Sequence, residues 1–182
     1  MIAHLTDTPV LRTERLVLRA PKASDFDALV PFITSDRARF VGGGADKTLG
    51  DAWRILAIFA GHWHLRGFGL FVAEDARTGT PIGSVGPWYP GDWPEHELGW
   101  TIWAPEAEGK GCAFEAVMRV RAHAYDDLGW QTAVSYIDER NDRSLALARR
   151  LGCTRDLDAT RPDRDEPLQV WRHPAPAEEG GQ

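Results

Sequence analysis

The stretch Pro105–Val117, PEAEGKGCAFEAV, sets Gly109 and Gly111 on either side of Lys110 and passes at once into a helical pattern. Glycine serves where a turn needs strained dihedrals or where a ligand must approach the backbone closely. At a helix start the first amides have no helical acceptor, so glycines there offer bare N–H groups and a partial positive charge to an anion. A glycine-softened turn between a strand and a helix is the plainer reading of the same letters. Two other phosphate motifs fail. A P-loop needs Ser or Thr after its lysine, and Gly111 follows Lys110. A dinucleotide fingerprint needs a third glycine where Phe114 stands, and it belongs after a first strand rather than late in the chain.

Outward from this stretch, HELGWTIW (His96–Trp103) reads as the strand leading into it, and QTAVSYID (Gln131–Asp138) as the strand leaving it. Between them Phe114, Val117, Met118, Arg121, Tyr125 and Leu128 mark one stripe of a helix that Gly129 closes. Such a strand–helix–strand unit predicts parallel flanking strands and a right-handed crossover. Upstream, FGLFVAED (68–75) and PIGSVGPWY (81–89) complete a three-strand meander. Before it come the strand RLVLRA (15–20), a short helix through Phe26, Leu29, Val30 and Ile33 with Ser24 as its N-cap, and the connector VGGGADK (41–47). A longer helix follows over Thr48–Leu65, with Trp53, Leu56, Ala57, Ala60 and Trp63 at helical spacing. Downstream come the basic helix NDRSLALARRLG (141–152) and a last strand, PLQVWRH (167–173). The order predicts an α/β chain whose mixed sheet carries helices on both faces.

The composition bounds the function. The 182 residues are 43% hydrophobic and 26% charged, which suits one globular domain over 1–174 with a polar, disordered tail at 175–182. A net charge of −6 argues against a nucleic-acid surface. No run approaches the about 20 apolar residues of a membrane span, and the N-terminus lacks a signal pattern, so a cytoplasmic protein without membrane attachment is expected. Cys112 and Cys153 are too few for a disulfide framework. His62 and His64 lie two apart, a helical spacing that points them away from each other, so no metal is expected.

Three further marks, in order, carry a family resemblance: TERLVLRA at 13–20, ELGWTIWAPEAEGKGCAFEA at 97–116, and NDRSLALARRLG at 141–152. Over residues 10–173 the chain resembles the GNAT family of acetyl-CoA-dependent N-acetyltransferases, and within it the branch holding the ribosomal-protein N-terminal acetyltransferases. The resemblance implies a sheet of six to seven strands splayed at its centre. Acetyl-CoA would lie in the V, its pyrophosphate on the amides of Gly109, Lys110, Gly111, Cys112 and Ala113, its pantetheine arm along the backbone of Ile102 and Trp103. Glu108 departs from the Gln or Arg preferred there, and a carboxylate repels phosphate unless it points away. Cys112 itself is read as a small filler, because the family passes the acetyl group directly to the amine.

The same resemblance implies the chemical roles. Acetyl transfer needs a neutral amine, a donor for the oxyanion and a proton or hydrogen bond for the departing thiolate. Glu97 corresponds to the family's glutamate base, and a backbone N–H near Thr101 would hold the oxyanion. Ala148 stands where many relatives carry a tyrosine acid, which leaves Ser144 as the nearest hydroxyl, with Asn141 holding the cofactor's amide chain. Both residues also read as plain helix capping. Trp88 and Trp93, with Asp92, are candidates for an acceptor wall suited to an amine on an apolar body, whereas Trp100 and Trp103 must point to opposite faces of their strand. The expected partner is a small-molecule or peptide amine, with a homodimer left open. The competing class is a non-catalytic acyl-CoA-binding sensor.

Overall fold

Local chemistry fixes the long helix first. Thr48 caps it by accepting the Asp51 amide, while the Asp51 carboxylate accepts the Thr48 amide at 2.8 Å, and Gly67 ends it at φ 76°. The computed structural model describes residues 5–163 and 165–176. Its strands are β1 (Leu11–Arg12), β2 (Leu16–Arg19), β3 (Phe71–Asp75), β4 (Pro81–Trp88), β5 (Glu97–Ile102), β6 (Val134–Asp138), β7 (Thr154–Asp156) and β8 (Leu168–Arg172). The helices are α1 (Phe26–Ile33), α2 (Leu49–Arg66), α3 (Cys112–Asp126) and α4 (Asp142–Arg150). All eight strands form one sheet in the order β1-β2-β3-β4-β5-β6-β8-β7. Every neighbouring pair is antiparallel except β5 and β6, the two strands joined by the α3 crossover.

Side chains alternate across the sheet and sort the core into two layers. Phe71 and Ala73 of β3 join Leu16, Leu18, Leu98 and the inner face of α3. Val72, between them in sequence, joins Leu29, Phe32 and Ile33 of α1, Ala52 and Leu56 of α2, and Trp103. The mixed sheet, the meander and the parallel crossover agree with the sequence reading. Two short strands, β1 and β7, come in addition and bring the sheet from the expected six or seven strands to eight. The tail expected at 175–182 lies, from 177 onward, outside the described residues.

Three local expectations differ. Ser24 does not cap α1. It lies inside a single 3₁₀ turn, Ala23–Asp25, and Asp25, the residue before α1, ties that turn back to Lys22 without a side-chain bond to the helix. The Asp25 carboxylate accepts the Lys22 amide at 2.8 Å and the Arg19 guanidinium at 2.5 and 2.7 Å. The buried stripe of α3 is Cys112, Ala116, Val117, Val120, His123 and Ala124, whereas Met118 is exposed. Small side chains on this face let the helix approach the sheet closely, and closeness of packing outranks the size of any one apolar group. On α2, Ala52 and Leu56 face inward while Trp53 lies outside, its ring 5.5 Å from Phe26.

Candidate active site

The site begins where β5 and β6 stop pairing. They share one register pair, Glu97 with Val134, closed by a 3.0 Å bond from the Val134 amide to the His96 carbonyl. A parallel ladder would next join the Tyr136 amide to the Leu98 carbonyl. Two side chains replace that rung. The Ser135 hydroxyl donates to the Leu98 carbonyl at 2.6 Å, and the Glu97 carboxylate takes the Tyr136 amide at 3.4 Å. Beyond this apex the strands part around a cleft of about 660 Å³, lined by Leu98–Thr101 of β5, Ser135–Asp138 of β6, and Asn141 and Ser144 at the start of α4.

Alternation along β5 decides which backbone groups face the opening. The Trp103 amide donates to the Ile82 carbonyl at 2.8 Å, and Thr101 lies opposite Ser84, so 97, 99, 101 and 103 turn their amides toward β4. Trp100 and Ile102 turn theirs into the cleft. The donor expected near Thr101 is therefore one residue away on either side, and the Thr101 hydroxyl is committed to Ser84 at 2.8 Å and to the Trp103 indole at 3.0 Å. Trp103 is also corrected. Its amide is spent on β4, its carbonyl accepts Arg37 at 2.7 Å, and its ring is core. Ile102 keeps an inward amide, while its carbonyl accepts Arg37 at 3.1 Å.

The glycine stretch stands beside this opening. Gly109 and Gly111 adopt φ 70° and 81°, a conformation that side-chain-bearing residues avoid, and Gly111 immediately precedes α3. The first helical bond is Glu115 N–H to the Gly111 carbonyl at 3.1 Å, so the amides of Cys112 and Ala113 have no helical acceptor. Arg15 moors the stretch from β2's approach: its guanidinium donates to the Lys110 carbonyl at 2.9 Å and to Glu115 at 2.6 Å. The Glu115 carboxylate also accepts the Thr13 hydroxyl at 2.5 Å and the Arg15 amide at 2.9 Å. Burial pushes the Glu115 pKa up, but these donors outweigh it and hold the carboxyl below its ordinary range. Lys110 is exposed, and the Cys112 side chain packs into the core.

The Glu108 carboxylate is taken up by two arginines. One carboxylate oxygen accepts Arg37 at 2.9 and 2.5 Å and the other accepts Arg143 at 2.5 Å. Burial raises this carboxyl's pKa, but the two guanidinium groups prevail and lower it.

At the apex, the second Glu97 oxygen accepts the Trp93 indole N–H at 2.5 Å. The neighbouring Glu95 carboxylate accepts the Arg172 guanidinium at 2.8 and 3.0 Å. Tyr136, absent from the sequence reading, lies on β6 with its ring 6.3 Å from Trp93. Burial first, then the carboxylates of Glu95 and Glu97, push its phenol up to about 12, so it stays neutral. His173 supports the apex from behind, its Nε2 lying 3.0 Å from the Ser135 hydroxyl. Burial drives the His173 pKa down to about 3. No pattern in the sequence links Ser135 to His173, 38 positions apart.

Asn141 caps α4 by accepting the Ser144 amide at 3.2 Å, and the Ser144 hydroxyl accepts the Trp100 indole at 3.3 Å. Ala148 is wholly buried in the core. The other half of the cleft is mainly apolar, with Ile55, Ile58 and Phe59 of α2 beside Trp88 and Trp93, and with Arg39, Lys47 and Asp92 also in its lining. Trp88 is fixed by stacking on His62 at 4.4 Å, and His62 is itself held by the Phe68 carbonyl at 2.8 Å and the Tyr89 amide at 3.0 Å. Among the described residues, no three His, Cys, Asp or Glu side chains gather as a metal site, and no helix is long and apolar enough to cross a membrane.

Residues 15–154 match the family model described as an acetyltransferase (GNAT) domain. A solved acetyltransferase from Agrobacterium tumefaciens is similar at 35% identity and TM-score 0.83, over 95% of this chain and 98% of the other. A Bordetella pertussis protein described as a GnaT-family acetyltransferase is 29% identical, TM-score 0.74, over 92% and 99%. The ribosomal-protein-S5-alanine acetyltransferase of Vibrio fischeri, at 16% identity and TM-score 0.66 over 90% and 95%, shares the fold. Among proteins of curated function none matches the chain. This chain belongs to the GNAT acetyltransferase family.

Proposed function

We propose that the protein is an acetyl-CoA-dependent N-acetyltransferase that acetylates a primary amine by direct attack, with Glu97 as general base. The observation that carries this reading is the position of the Glu97 carboxylate at the apex, between the opened strands and the apolar wall. The donor side fits coenzyme A on three counts: unpaired amides at the head of α3, two glycines in the left-handed conformation, and inward amides at Trp100 and Ile102. Acetyl-CoA, when bound, supplies an activated acetyl thioester and leaves as the free thiol.

The residues of the chain do the rest. Glu97 takes a proton from the incoming ammonium or amine, so that the nitrogen lone pair forms the new C–N bond as the C–S bond breaks. An inward amide of β5, at Trp100 or Ile102, donates to the oxygen that gains charge during attack. The Ser144 hydroxyl, its oxygen anchored by the Trp100 indole at 3.3 Å, keeps its own proton for the departing sulfur. Asn141 fixes the start of α4 and so the position of that hydroxyl. Tyr136 and Trp93 keep the Glu97 carboxylate aimed.

Ile55, Ile58, Phe59, Trp88 and Trp93 suit an amine carried on an apolar or aromatic body. The motif resemblance to the ribosomal-protein branch adds peptide α-amines with apolar first residues to the same class. A mass-spectrometric screen for added acetyl groups, across arylalkylamines and N-terminal peptides, tests the proposal. Acetylation of any panel member that depends on Glu97 supports it. Tight acetyl-CoA binding with no acetylated product would instead make the protein a binding module.

A further inference from the structure

Three segments meet at the mouth of the donor slot. Arg37 comes from the α1–α2 connection, Glu108 from the residue before Gly109, and Arg143 from the first turn of α4. The two arginines are held very differently. Arg37 donates to the carbonyls of Ile102 and Trp103 and to Glu108, and lies 5.3 Å over the Phe32 ring, so it is a fixed charge. Arg143 has a side chain 82% exposed, and among the described residues its only hydrogen-bond partner is Glu108. An exposed ion pair of this kind contributes little stability and is readily exchanged. Arg143 also sits at a helix N-terminus, where the helix dipole opposes a cation and favours an anion beside it.

We infer that Glu108 is an internal counter-ion, which occupies Arg143 in the cofactor-free protein and yields it to a phosphate group of coenzyme A on binding. This rests on the acetyl-CoA reading above. A phosphate seated on the amides after Gly109 lies next to Glu108 in the chain, and it carries more charge than the carboxylate it displaces. Arg37 cannot follow, because two backbone carbonyls hold it, so the exchange falls on Arg143. The two arginines and one carboxylate carry a net single positive charge, and neutralising Glu108 raises it. The carboxylate at 108 thereby weakens cofactor binding in a graded way, in place of contributing to it.

The test is equilibrium binding of coenzyme A to the full chain, followed by calorimetry, for wild type, Glu108→Gln, Arg143→Gln and the double variant, with melting temperatures checked to be equal. Glu108→Gln tightens binding about threefold to tenfold at low salt, and added salt shrinks the gain. Arg143→Gln weakens binding by a similar factor, Arg143→Lys recovers part of the loss, and the double variant keeps less than half of the Glu108→Gln gain. Dephospho-coenzyme A identifies the phosphate: an Arg143→Gln effect that persists assigns the diphosphate, and one that vanishes assigns the 3′-phosphate. Unchanged or weaker binding by Glu108→Gln makes Glu108 a strut and overturns the inference, as does an Arg143→Gln protein that binds like wild type. Wild-type protein that binds no coenzyme A at all overturns the functional reading itself.

Discussion

The two halves of the cleft are built by different means. The side proposed for the donor is made of backbone: glycine turns at 109 and 111, helix-start amides, and the inward amides of β5. The side proposed for the acceptor is made of side chains brought from α2, the end of β4, the loop before β5, and β6. A backbone site can only be built by a contiguous stretch in one conformation, so it leaves a motif. A side-chain wall can be assembled from any residues that the fold brings together, so it leaves none. The donor half should therefore break through changes in conformation, and the acceptor half through changes in surface.

The largest separation of the two should come at their meeting point. Glu97→Gln is expected to lower kcat about 100- to 10,000-fold, the range for losing a general base, while calorimetry shows coenzyme A binding unchanged. Equal turnover by this variant across pH would remove Glu97 from the mechanism.

The seam itself can be probed by pH. Burial lowers the His173 pKa from its ordinary 6.5 to about 3 in the fold, so the unfolded chain takes up a proton first as pH falls. Its contribution to stability is present above about 6.5 and is lost as pH falls toward 3. Between pH 7 and pH 5 this amounts to about 2 kcal/mol. Denaturant titrations of His173→Gln should show a pH dependence flatter by that amount, and parallel curves would refute the assignment.

On the donor side, Gly111→Val forces a β-branched residue to φ 81°, at about 1–2 kcal/mol. Affinity for coenzyme A should fall about tenfold with the amine KM unchanged. On the acceptor side, Trp93→Ala should do the reverse, raising the amine KM about fivefold and leaving coenzyme A affinity alone. If both variants move both quantities together, the halves are not independent.

Legibility followed the same division. The meander, the crossover and the head of α3 could be read because each rests on neighbouring residues: the apolar run in FGLFVAED, glycines at 109 and 111, Asn141 before a helix. The strand β7 could not be read from TRD, since those residues extend only because Arg155 lies opposite Trp171 on β8. The buried stripe of α3 was misjudged by weighing Met118 and Tyr125 as apolar, where the sheet admits Ala116 and Ala124. Thr13, Arg15 and Glu115 were visible only as letters of two separate motifs. Their hydrogen bonds explain why the two occur together: one anchors the turn of the other. Of the candidate roles, that of the Trp103 amide was illegible because a strand's last amide goes to whichever neighbour takes it, here the Ile82 carbonyl.

The single rung between β5 and β6 has a consequence for the protein's solubility. By parting in the middle, the sheet acquires two unpaired strand edges in its interior, with Trp100 and Ile102 presenting free amides along one of them. Exposed edges invite pairing with other chains and are a common route to aggregation. Here the edge borders a cleft of about 660 Å³ whose lining comes from α2, the Trp93 loop and the start of α4. If coenzyme A binds as proposed, its arm covers this edge and removes it as a template for pairing.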